Sequence, residues 1–261
     1  MHDIPLIVIS HDRYADLWKP FFTFFWKWWP DCPFQVYLGT NHQTYEDSRV
    51  ISIRTGDEVT WGTQLRQLLD TLDKPYVLTF LEDFLIEDKV ETARVVRLAQ
   101  VAVENRVGCL RLAPNPAPSE PVEGYPELGR VVPGDPYRIT SQVSFWKADT
   151  LRSLLKPEYS IWDFEFKGSG SSPNLPDPLW CVWQPAIKYQ HCVERGQWLP
   201  WGRQVCRQAG IDIDLKYRPA MQGREMWRRI YNGLRSRVFW SLPRATQRKR
   251  WARIADRYAD K

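Results

Sequence analysis

The stretch "YVLTFLEDFLI", residues 76–86, decides how the chain is read. Tyr76–Leu81 is a short run of β-forming and apolar residues, the pattern of a strand covered on both faces inside a parallel sheet. It then meets two adjacent carboxylates, Glu82 and Asp83, and turns apolar again at Phe84-Leu85-Ile86. Such a pair is costly to bury unless something neutralises it. In an open α/β sheet, ligands gather beyond the carboxyl ends of the strands. Two carboxylates there can hold Mg2+ or Mn2+, which take oxygen ligands and keep positions open for substrate phosphates. The alternative is a surface turn whose carboxylates face water. The immediate return to apolar sequence speaks against a plain turn.

Working outward, "IPLIVIS" (4–10) is a second continuous apolar run, again a strand buried on both faces. Ser10 or Asp12 can cap the helix that follows. In "DLWKPFFTFFWKWW" (16–29) the polar positions 19, 23 and 27 form one narrow stripe, so this helix is expected to be nearly all buried, with Pro20 in its first turns or at a kink. "FQVYLGT" (34–40) and "VISIR" (50–54) read as strands. "TQLRQLLDTL" (63–72) reads as an amphipathic helix with Leu65, Leu68, Leu69 and Leu72 on one face. Strand, helix, strand, strand, helix, strand predicts an α/β domain with a Rossmann-like, mostly parallel sheet. Downstream, 90–105 predicts a helix and 107–113 a strand. The Pro-rich segment 114–129 reads as a long surface loop. Residues 137–155 read as a strand running into a helix, and 161–178 as a carboxylate-bearing turn followed by a flexible Gly/Ser/Pro loop.

Of the 261 residues 14% are aromatic, including 14 Trp. The N-terminal "MHDIPLIVIS" lacks the pattern of a secretion signal, and no apolar stretch approaches the roughly 18–20 residues of a membrane span. Five cysteines, widely spaced and without a CxxC, favour reduced thiols in a cytoplasmic protein. The charge is uneven: residues 216–261 carry 14 Lys and Arg against 3 Asp and Glu, whereas the whole chain carries 36 against 31. The body is therefore net acidic and the tail strongly basic, which predicts two segments, 1–215 and 216–261, with different electrostatic roles.

The order of short motifs resembles bacterial glycosyltransferases of the GT-A type, in particular transferases of capsule and O-antigen polysaccharide clusters. The motifs are "WGTQLRQLLDTLDKPYVLTFLEDFLI" (61–86), "SQVSFWKADTLRSLLKPEYSIWDFEF" (141–166) and "VERGQW" (193–198), and the resemblance spans roughly 4–215. It implies a GT-A fold and a nucleotide-sugar donor whose diphosphate rests on a divalent cation held at the acidic doublet. This sequence has Glu82-Asp83 where many such enzymes have Asp-x-Asp, so the resemblance leaves Asp83 as the principal ligand. It further implies that Ser10 and His11 approach the nucleotide base with Trp61 nearby, and that His191 completes the metal site. The blander alternatives are that His11 only caps a helix, Trp61 is core and His191 is structural.

In Trp162-Asp163-Phe164-Glu165, alternating rings and carboxylates let both rings pack on one side while both carboxylates face the other. An inverting glycosyl transfer needs one base within reach of the acceptor hydroxyl, and aromatic walls that exclude water suit a carboxylate to that work. A solvated acidic strand edge is the alternative. By the resemblance Glu165 is the base and Asp163 the second candidate, while Trp146 and Trp162 either stack on an acceptor sugar or belong to the core.

In the tail, "MWRRIYNGLRSRVFW" (226–240) puts Trp227, Ile230, Tyr231, Leu234 and Val238 on one helical face, flanked by Arg228, Arg229, Arg235 and Arg237. That is the pattern of a helix lying in the plane of an anionic membrane; packing on the domain is the alternative. The expectation is a glycosyltransferase at the inner face of the cytoplasmic membrane, using a glycan or lipid-linked acceptor. A nucleic-acid-binding protein is disfavoured because the positive charge is confined to the tail. A metal-dependent phosphoesterase is disfavoured because it would want more His and Asp clustered at strand ends than the four His here provide.

Overall fold

A computed structural model describes residues 3–57 and 59–259; the extreme ends of the two expected segments, 1–2 and 260–261, lie outside them. The chain opens with β1 (Leu6–Ile9), α1 (Ala15–Trp28), β2 (Val36–Thr40) and β3 (Val50–Arg54). Next come α2 (Trp61–Leu72), β4 (Tyr76–Leu81), β5 (Phe84–Ile86), α3 (Thr92–Glu104) and β6 (Cys109–Arg111). A hairpin of β7 (Glu120–Val122) and β8 (Tyr125–Arg130) precedes β9 (Ser144–Lys147), α4 (Ala148–Leu154) and α5 (Ile161–Ser171). The body ends with β10 (Leu179–Val182), β11 (Tyr189–His191), β12 (Val193–Glu194), β13 (Gln197–Trp198) and α6 (Pro200–Gln208). Two more helices follow, α7 (Gly223–Ser241) and α8 (Arg244–Ala259).

Nine strands form one sheet in the order β3-β2-β1-β4-β9-β6-β10-β8-β7. β1 pairs in parallel with β2 and β4, β2 with β3, and β6 with β10. β9 runs antiparallel to both β4 and β6, and β8 antiparallel to β10 and β7. All but β8 and β9 therefore point the same way, so the sheet is mostly parallel. The apolar run of β1 is explained by burial on both faces. Leu6 and Val8 join the aromatic face of α1 (Phe21, Phe22, Phe25) and Leu98 of α3, while Ile7 and Ile9 meet Leu65 and Leu68 of α2 and Leu151 of α4. The helical stretch with its three polar positions is α1, and Pro20 lies buried within it.

Two segments depart from expectation. Part of 114–129 is not loop but the β7–β8 hairpin, turned at Gly124 with φ 78°. Its Pro121 lies on the edge strand, where a missing N–H costs no ladder bond. Residues 161–171 are not a turn and flexible loop but helix α5. A capping box starts it: Asp163 N–H donates to Ser160 Oγ at 3.2 Å, and Ser160 N–H donates to Asp163 Oδ2 at 3.0 Å. Gly168 lies on the packed face, where an added Cβ would make a tight contact, 3.3 Å, with the Ile139 side chain.

The basic segment is tied to the body at both ends. Arg218, buried, donates to both oxygens of Asp16 at 2.7 and 2.8 Å. Trp251 of α8 is buried and stacks on Phe166 of α5 at 5.4 Å, and Arg248 donates to Asp135 at 2.9 Å. Between these anchors α7 has no buried residue, with Trp227 73% and Val238 60% exposed. Among the described residues no helix is long and apolar enough to cross a membrane.

Candidate active site

The chain runs β1, β2, β3 toward one edge and returns with β4 on the other side of β1. The loops leaving β1 and β4 therefore diverge, which opens a crevice at the carboxyl ends of those strands. The crevice is a cavity of about 440 Å³, and Ser10 and His11 from the first loop face Glu82 and Asp83 from the second across it. Trp61, Trp162, Glu165 and His191 also line it. Residues scattered over five parts of the sequence thus share one cavity, and Glu82 and Asp83 face it rather than bulk water.

β5 brings His191 to Asp83. The apolar return after the carboxylates is short, buried, and paired antiparallel with β11, so that Phe84 lies opposite His191. Cys192 N–H donates to the Asp83 carbonyl at 2.8 Å, and Asp83 Oδ2 lies 3.4 Å from His191 Nδ1. The Phe84 ring stacks on Tyr189 and meets His191 edge-on at 4.5 Å. Burial opposes a charge on His191, but the hydrogen bond and negative field of Asp83, with Glu165 and Glu194, outweigh it and raise its pKa. Glu82 is different. It is 8% exposed, and burial, reinforced by the charge of Asp83, drives its pKa well above the ordinary carboxylate range.

The donor set offered to a cation is therefore Asp83 with His191; no group of three or more His, Cys, Asp or Glu side chains able to hold one occurs among the described residues. Two protein ligands fit a Mg2+ or Mn2+ that completes its shell with substrate phosphate oxygens and water.

Ser10 is fixed from two sides: its hydroxyl accepts from Trp18 Nε1 and its carbonyl from Gln64 Nε2, each at 2.8 Å. His11 Nδ1 accepts from Arg13 N–H at 3.1 Å, capping a short helical turn, and burial together with Arg13 lowers its pKa. His11 thus caps this turn and also lines the cavity. Trp61 opens α2 against the cavity, and its Nε1 is a buried donor with no partner among the described residues. Gly62 lets this end of α2 approach the chain at 156–159, since a Cβ would fall 2.2 Å from the Lys156 carbonyl.

Glu165 is buried but not unpaired. Its Oε1 accepts from Thr140 Oγ1 at 3.1 Å, Ser141 N–H at 2.8 Å and Ser141 Oγ at 2.7 Å. These bonds orient the carboxyl from the 140–141 loop and leave Oε2 without a hydrogen bond among the described residues. Asp163 does not join it. On a helix, residues two apart face different directions, and Asp163 is held by the Ser160 cap and by Lys167 at 3.1 Å, which keep its pKa low. Trp146 is likewise outside the cavity: it is 2% exposed, in β9, packed edge-on against Phe164. Trp162 stands at the cavity mouth, 64% exposed.

Several lining residues carried no functional expectation: Tyr14, Gln64, Gln142, Glu194 and Arg195. For Gln64 the sequence held a signal, a polar residue inside the apolar stripe of α2 beside Leu65 and Leu68. Gln142 is held by Tyr189, whose hydroxyl donates to Oε1 at 2.6 Å, a contact that only the tertiary fold creates.

No family model matches the chain, and no curated protein sequence does. Solved structures with a similar backbone include residues 1–349 of S. aureus TarS, at 13% identity and TM-score 0.48 over 72% of this chain and 60% of that one. They also include the mannosyltransferase PcManGT of Pyrobaculum calidifontis in complex with GDP-Man and Mn2+, at 11% identity and TM-score 0.48 over 74% and 58%. A third is the 2-C-methyl-D-erythritol 4-phosphate cytidylyltransferase of Thermus thermophilus, at 16% identity and TM-score 0.45 over 80% and 99%. The chain spans about three fifths of the first two. At this level of likeness the functional argument rests on the cavity itself.

Proposed function

We propose that the chain is a glycosyltransferase that moves a sugar from a nucleotide-sugar donor to a glycan or lipid-linked acceptor in cell-surface polysaccharide synthesis. The observation that carries this reading is one switch-point cavity lined by both the Asp83–His191 pair and the oriented Glu165 carboxyl. A base or sugar diphosphate of nucleotide size suits about 440 Å³. In this reading the nucleoside lies toward Ser10, His11 and Trp61. Asp83 and His191 would hold a divalent cation, which when bound neutralises the diphosphate and stabilises its departure. Glu165 offers Oε2 to the acceptor hydroxyl and takes its proton as the oxygen attacks. Trp162 gives an apolar ring at the mouth on which a sugar can stack. The exposed apolar stripe of α7, with its flanking arginines, supports attachment to an anionic membrane from the cytoplasmic side.

The test is incubation of the purified protein with a panel of nucleotide sugars and Mn2+, with release of nucleoside diphosphate followed by mass spectrometry. Consumption of one donor, slowed in Glu165→Gln, supports the reading. A panel in which no donor is consumed and none raises Tm contradicts it.

A further inference from the structure

The charged part of the cavity lining is mostly acidic. Glu82, Asp83, Glu165 and Glu194 line it, and among the described residues Arg195 is the one Lys or Arg that does. Arg195 comes from the two-residue turn of the β12–β13 hairpin, where Arg195 has φ 52° and Gly196 φ 72°. Both positive values are what a tight primed turn demands. Glycine adopts them freely, whereas arginine is strained there, and such strain gathers at functional sites.

The hairpin is also braced from behind. Arg229 of α7 donates to Glu194 Oε2 at 2.8 Å, and Arg195 Nη1 lies 4.0 Å from Glu225 at the start of the same helix. Two oppositely directed ion pairs thus run to α7 from adjacent residues, Glu194 at the end of β12 and Arg195 in the turn. Trp198, at the end of β13, fixes the base of the hairpin by donating its N–H to the Pro219 carbonyl at 2.9 Å and by accepting from Met221 N–H at 2.8 Å. The 4.0 Å contact with Glu225 is loose, and the Arg195 side chain is half exposed. Most of the guanidinium's donors are therefore unspent, and its planar fork matches phosphate oxygens.

We propose that Arg195 binds the diphosphate of the donor, and that α7 positions it through the Glu194–Arg229 and Arg195–Glu225 pairs. The inference rests on the nucleotide-sugar reading of the cavity. It explains why an arginine occupies a glycine-like backbone position, and how an anion is tolerated among four carboxyl groups of which a cation at Asp83 and His191 would offset only part.

The experiment is calorimetric titration of UDP, GDP, ADP and CDP, and of the matching nucleosides, with Mn2+ present. Wild type is compared with Arg195→Gly, Arg195→Lys, Arg229→Gln and Arg229→Lys. Arg195→Gly is expected to weaken the preferred diphosphate by about tenfold or more, the size of a lost charge-assisted contact, with nucleoside affinity unchanged. Because it relieves the turn, its Tm should equal or exceed that of wild type. Arg195→Lys should lie between the two, keeping the charge and losing the fork. Arg229→Gln should weaken the diphosphate by a smaller factor, with Arg229→Lys restoring it. Wild-type diphosphate affinity in Arg195→Gly overturns the assignment, as does an equal loss for nucleoside and diphosphate. If wild type binds none of the diphosphates, the reading of the cavity falls and the role of Arg195 with it.

Discussion

Asp83 Oδ2 and His191 Nδ1 stand 3.4 Å apart although 108 residues separate them in sequence. The strands β5 and β11 make the contact: three apolar residues after the acidic doublet pair with three that end in histidine. The pair lines a cavity that is also lined by Glu165, which arrives on a helix from a different part of the chain.

Glu165 and Asp163 should separate cleanly by mutation. Glu165→Gln keeps shape but removes the proton acceptor, and the expected loss of transfer rate is on the order of 10²–10⁴ with donor affinity little changed. Asp163→Asn should leave the rate near wild type and instead cost about 1 kcal/mol of stability through the weakened cap. Steady-state rates and thermal melts of both variants check this; a dead Asp163→Asn with a wild-type melt contradicts it.

Glu82 gives a pH signature. Its folded pKa is raised by burial and by Asp83, so the folded protein holds this proton more tightly than the unfolded chain. The stability this contributes is complete below the ordinary value of 4.5 and is lost as pH rises through the elevated folded value. Glu82→Gln should therefore leave Tm unchanged in acid and raise it at alkaline pH. Melts of both proteins across pH test the sign; a Tm difference that shrinks as pH rises contradicts it.

The α7 face is testable without disturbing the body. Deleting the whole basic segment would strip Trp251 and Arg218 from their sites, so the informative variant is Trp227→Ser/Leu234→Ser/Val238→Ser. Co-sedimentation with anionic vesicles should be lost while Tm holds, since all three side chains are exposed. Retained vesicle binding contradicts the membrane proposal.

Arg218 and Asp16 test the anchor. Removing one partner of a buried ion pair leaves the other charge uncompensated, and Arg218→Met should cost about 3–5 kcal/mol. The double variant Arg218→Met/Asp16→Leu should recover part of that in denaturant titrations. Additive losses would show that the pair is not coupled.

The sheet was legible because β1 and β4 are unbroken apolar runs, which only strands buried on both faces require, and because the amphipathic period of α2 lies between two strands. Asp83 was legible for the same reason: a carboxylate interrupting such a run stands out. The α5 segment was not, since Gly168, Ser169, Gly170 and Ser171 have weak helix propensity. Ser160 and Asp163 override it by capping, and Phe164 by packing. Reading 161–166 as extended put Asp163 and Glu165 on one face, whereas the helix turns them apart. The inserted β9 and the placement of Gln142 depend on contacts between distant segments, for which local sequence carries no pattern, whereas Arg195 lies within the VERGQW motif, which by itself assigns it no partner.

The most direct measurement is calorimetric titration of the preferred nucleoside diphosphate into wild type and Asp83→Asn, with Mn2+ and with EDTA. The account predicts binding in wild type that Mn2+ strengthens. It predicts that Asp83→Asn, with an unchanged melt, loses about tenfold or more of that Mn2+-dependent affinity. Equal affinity in the two proteins with Mn2+ present would contradict it.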